Sequence, residues 1–87
     1  MKIKDGFILR EVAGSFIVVA VGEAVKSFNG IVNLNETGAF LWKILEAGAT
    51  KEELLTKLLA EYEVDEKTAA ADIDAFIGKL QEAKLVK

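Results

Sequence analysis

The period of the hydrophobic pattern changes once along this chain, and that change constrains the fold more than any other feature. As far as Leu34, apolar residues come in short runs rich in β-branched and aromatic side chains. Phe7-Ile8-Leu9-Arg10-Glu11-Val12 and Ser15-Phe16-Ile17-Val18-Val19-Ala20-Val21 both suit a pleated, half-buried surface. Only Ala13-Gly14 separates them, so the two runs are expected to form a hairpin. A third, shorter strand is expected at Ile31-Val32-Asn33-Leu34, after an Asn29-Gly30 turn, at the edge of the sheet.

From Asn35 onward the spacing is helical. The side-chain oxygen of Asn35 suits the orphan N–H groups of a first helical turn, and Phe40, Leu41, Ile44 and Leu45 form one apolar face with Trp42 beside it. Gly48 stops this helix, expected at about Glu36 to Ala47. Thr50-Lys51-Glu52-Glu53 has the pattern of a capping box and opens a second helix carrying Leu54, Leu55, Leu58, Leu59 and Tyr62. Asp65 is expected to cap a third, in which Ala69, Ile73, Phe76, Leu80 and Ala83 recur at four- and three-residue steps. Leu85-Val86 suits a last extended pair. Three strands cannot bury an apolar face alone, so helices must cover it. The expected fold is α+β and winged-helix-like, a three-stranded antiparallel sheet followed by three helices.

Composition then narrows the function. A chain of 87 residues supports one core, so residues 1–87 are expected to form a single domain. It has neither His nor Cys. That removes the commonest general base, the thiolate nucleophile and the usual zinc ligands, so no metal and no cofactor are expected. The longest apolar run, residues 16–21, falls far short of the roughly 20 residues that cross a bilayer as a helix. No secretion signal is evident, and a cytoplasmic protein without a membrane partner is expected. A net charge of −3 disfavours nucleic acid.

Carboxylates are the abundant reactive groups, but Glu52/Glu53, Glu61/Glu63, Asp65/Glu66 and Asp72/Asp74 are one or two apart in sequence. Residues one or two apart do not face each other on a helix, and acids in a first turn stabilise its dipole. They read as caps and solvated faces, not as a catalytic pair, so the chain is not expected to be an enzyme. Trp42, next to an apolar helix face, reads as a core or boundary residue. Backbone chemistry remains. Residues 31–34 form a short strand with no fourth strand evident beside it, and such an edge accepts an extended peptide by strand addition when loop or terminus does not cover it.

Three segments stand in a specific order: Val32-Asn33-Leu34-Asn35-Glu36-Thr37-Gly38-Ala39-Phe40-Leu41-Trp42, then Leu45-Glu46-Ala47-Gly48-Ala49-Thr50-Lys51-Glu52-Glu53-Leu54, then Asp72-Ile73-Asp74-Ala75-Phe76-Ile77-Gly78-Lys79-Leu80. Their order and spacing resembles the PqqD family, pyrroloquinoline quinone biosynthesis protein D, over nearly the whole chain. Where members of that family often have a proline before the first strand, Lys4-Asp5-Gly6 stands here.

The resemblance implies a recognition element without chemistry of its own. Such a domain binds the leader of a ribosomally made precursor peptide and presents it to a modifying enzyme, often a radical SAM protein. Whether the pathway is that of the quinone or of another modified peptide stays open. The family likeness places the leader on Ile31, Val32, Asn33 and Leu34, in a groove toward the third helix. A wheel of about 100° per residue leaves that helix two flanks: Ala70, Asp74, Ile77 and Gln81, or Asp72, Lys79 and Ala83. The first is expected to line the groove, because Ala70 and Ile77 widen its apolar stripe. Two rival functions remain: a winged-helix DNA-binding regulator, which the acidic helices oppose, and a structural subunit whose edge strand is buried in a partner.

Overall fold

The computed structural model describes residues 1–26, 28 and 30–87. The strands are β1, Phe7–Val12, β2, Ser15–Ala20, and β3, Val32–Leu34; the helices are α1, Glu36–Ala47, α2, Lys51–Glu61, and α3, Glu66–Glu82. The expected order of a three-stranded antiparallel sheet followed by three helices is therefore present. A 3₁₀ turn, Gly22–Lys26, lies between β2 and β3 and buries none of its residues, which is why no periodic pattern announces it. The expected Asn29-Gly30 turn lies, at Asn29, outside the described residues.

The sheet runs in the order β1-β2-β3, so among the described residues β1 and β3 are both edges. The hairpin turn is made by Ala13 and Gly14, both at positive φ (51° and 80°), as a two-residue turn matched to the strand twist requires. In the second ladder Phe16 faces Leu34, Ile17 faces Asn33 and Val18 faces Val32. Strand side chains alternate between faces. Val18, Val32 and Leu34 accordingly join the buried core, while Ile17 and Asn33 belong to the outer face.

Each helix start is fixed locally. Asn35 Oδ1 accepts a 2.7 Å bond from the Gly38 N–H, and Gly48, at φ 94°, closes α1 through its own N–H to the Leu45 carbonyl. The capping box at α2 is complete: the Glu53 N–H donates to Thr50 Oγ1 at 3.1 Å and the Thr50 N–H donates to Glu53 Oε1 at 3.0 Å. Asp65 departs from expectation. It holds the N-cap conformation of α3, but its exposed side chain accepts no capping bond.

Trp42 sits at the centre of the core, not beside it, with Leu41, Leu45, Leu54, Leu58, Leu80 and Leu85 also fully enclosed. Each such Leu contributes about 1.5–3 kcal/mol of burial before entropy is set against it. The two termini are part of this packing. Ile3 is buried and forms a bridge with Val86, and the Lys4 N–H donates to the Leu85 carbonyl at 2.8 Å. The expected extended pair at the C-terminal end thus finds its partner in the first residues. Among the described residues no helix is long and apolar enough to cross a membrane.

Candidate functional site

β3 pairs with β2 on one side only, and α3 runs past its other side. Two depressions lie along this side of α3, the first against the end of β3 and the start of α1, the second against β3 itself. One has a floor of Leu34, Leu41 and Phe76, with Asn35, Asp72 and Ala75 around it; the other is bounded by Ile31, Val32, Asn33, Glu82 and Ala83. Lys79 borders both. Its Nζ donates to the carbonyl oxygen of Asn33 at 2.5 Å, bridging the groove between them.

That bond fixes the orientation of the edge. Along a paired antiparallel strand, successive residues turn their N–H and C=O alternately to one side and the other. Because the Asn33 carbonyl meets α3, the Asn33 peptide group is turned to the open side, and those of Val32 and Leu34 to β2. The Asn35 cap follows directly, so the backbone leaves the edge strand and enters α1 within one residue. Gly38 fits this corner closely: a Cβ there would lie 3.2 Å from Asn35 Oδ1 and 3.3 Å from Leu34 Cβ, a tight contact.

Chemically the groove offers a backbone edge that no strand pairs among the described residues, an apolar floor and a rim of mixed charge from Asp72, Lys79 and Glu82. Two titrations are displaced elsewhere. The Thr50 backbone N–H holds the Glu53 carboxyl below its usual range, with the Thr50 hydroxyl adding to it. Burial raises the Tyr62 phenol, with the charges of Glu36 and Glu61 acting in the same direction. Neither group lines the groove.

The family model of Coenzyme PQQ synthesis protein D (PqqD) matches residues 8–86. The chain belongs to the PqqD family. Two solved structures are similar to it throughout. One is TbiB1 in complex with the TbiA(beta) leader peptide: TM-score 0.78, 25% sequence identity, 100% of this chain and 95% of the other covered. The second, a lasso peptide synthetase B1 complexed with the leader peptide, has TM-score 0.75 and 21% identity, covering 99% of this chain and 95% of the other, and carries the fold alone. No curated protein is similar enough in sequence to match.

In this PqqD-family chain the flank of α3 expected at the groove is turned elsewhere. Ala70 and Asp74 line a separate depression with Lys51, Glu52 and Leu55 of α2, and Asp74 pairs with Lys51 at 2.7 Å. Ile77, 4% exposed, is a core residue, and Gln81 is exposed and borders neither depression beside β3. The other flank lines the two depressions: Lys79 and Ala83, with Glu82, lie opposite β3, and Asp72, with Ala75, lies opposite the end of β3 and the start of α1. The physical reason is the α2–α3 hairpin. Only residues 62–65 join the two helices, so they pack as neighbours and the wider apolar flank is consumed between them. That short connection was the available signal. Of the expected strand residues, Val32 and Leu34 send their side chains inward, while Ile31, 60% exposed, and Asn33 remain at the surface.

Proposed function

We propose that this chain captures the leader segment of a ribosomally made precursor peptide as an added strand on β3. The leader's alternate side chains enter the depressions beside α3, and the rest of the peptide is presented to a separate modifying enzyme, a radical SAM protein in the form usual for the family. The chain itself is a non-catalytic carrier in the cytoplasm. One observation carries this reading: Asn33 turns its peptide groups away from β2 into a groove whose far wall is α3, where a lysine side chain and not a strand meets its carbonyl. In strand addition the backbone bonds supply affinity and the pockets for alternate side chains supply specificity, and both are at hand.

Two further facts support it. The chain belongs to the PqqD family, and TbiB1, which shares its fold over the whole length, is complexed with a leader peptide. The acids of α2 and α3, among them Glu52, Glu53, Asp72 and Asp74, oppose the DNA-binding alternative, since they repel phosphates. The test is calorimetric titration with synthetic leaders of precursor peptides encoded beside this chain's gene, each against a scrambled version. Saturable binding of one leader and not of its scramble is expected. Absence of binding to every such leader would contradict the proposal.

A further inference from the structure

Among the described residues bordering the two depressions, Lys79 is the only cation, and its ammonium is bonded to a carbonyl that β3 turns away from β2, on its unpaired side. Lysines commonly blunt sheet edges by charge alone. Here the head group occupies the acceptor itself. A chain pairing with β3 needs that oxygen for one of its own N–H groups. Two donors thus compete for one site, and the lysine must leave before a strand can settle.

Resting on the reading of β3 as the peptide edge, we propose that Lys79 is a latch that screens what enters the groove. Its ammonium holds the Asn33 carbonyl until a chain with a backbone N–H at that register displaces it. The released side chain then turns to Glu82, which is three residues further along α3, within reach on a helix surface, and borders the same depression. The occupant is therefore specified by backbone as well as by side chains. A peptide with proline, or an N-methylated residue, opposite Asn33 fills the apolar floor but cannot replace the bond that the lysine gives up.

The test uses the whole chain, a synthetic leader copied from the precursor gene beside this chain's own, and two variants. Lys79→Met keeps the length of the stem and removes the donor; Lys79→Arg keeps a donor. In the free protein, Lys79→Met is expected to shift the Asn33 carbonyl carbon resonance upfield, as loss of a hydrogen bond does. Calorimetry is expected to give leader binding about three- to tenfold tighter than wild type for Lys79→Met, the scale of one charge-assisted bond at an exposed site, and near wild type for Lys79→Arg. Weaker or unchanged binding by a folded Lys79→Met variant would overturn the latch and leave the peptide site standing. If the wild-type chain binds no leader, the peptide reading fails and the latch with it.

Discussion

Lys51 Nζ lies 2.7 Å from Asp74 Oδ1 and pins the outer side of α3 to the first turn of α2. Both side chains are more than half exposed, at 54% and 65%, so the pair orients more than it stabilises. Asp74→Asn is expected to change unfolding free energy by less than about 1 kcal/mol in urea titrations. Leader affinity should not change. A large loss of affinity would place the peptide on the α2 side of α3, against the proposal.

Ala75 gives the converse test, because it is exposed and borders the depression beside β3. Arginine is a good helix former, so Ala75→Arg should leave the fold intact, which a circular dichroism melt will check. Its bulk and charge are expected to weaken leader binding by about tenfold or more, equivalent to roughly 1.4 kcal/mol. Unchanged affinity would remove this part of α3 from the site.

The contrast between these two positions shows how far the residues alone could lead. Strand runs, helix spans and the complete Thr50–Glu53 cap were legible, because each depends on neighbours in sequence. The short β3 was legible as an edge for the same reason. The rotation of α3 was not, because widening of its apolar stripe by Ala70 and Ile77 marks burial without naming the partner. That partner is α2 for Ala70 and the common core for Ile77. Nor could local pattern reveal the bond from Lys79 to Asn33, which spans 46 residues. The second sheet edge, β1, follows from strand order, which the hairpin pattern leaves open.

The Asn35 cap joins the edge strand to the helical layer. Removing its oxygen in Asn35→Ala is expected to cost about 1 kcal/mol of stability, with Asn35→Asp retaining most of it. Chemical denaturation of both variants checks this. Equal losses in the two would mean that the oxygen's bond to the Gly38 N–H is not what holds the corner.

Acid should loosen the start of α2. The Glu53 carboxyl titrates below its ordinary value when folded, because the Thr50 N–H bonds to the charged form. The unfolded chain therefore binds this proton more readily, and the contribution of Glu53 is complete above the ordinary carboxylate value. It is lost as pH falls through the lowered one. Urea midpoints measured down through the carboxylate range should fall more steeply in wild type than in Glu53→Gln. Parallel curves would contradict the assignment.

The most direct measurement of the central claim is a heteronuclear NMR titration of the isotope-labelled chain with candidate leader peptides encoded near its gene. Strand addition on β3 predicts shifts at Ile31, Val32, Asn33 and Leu34 together with Asp72, Ala75, Lys79 and Glu82, and new protection of the Asn33 amide against exchange. Shifts confined to β1, the other open edge, or to Ala70 and Asp74 on the α2 side, would contradict it.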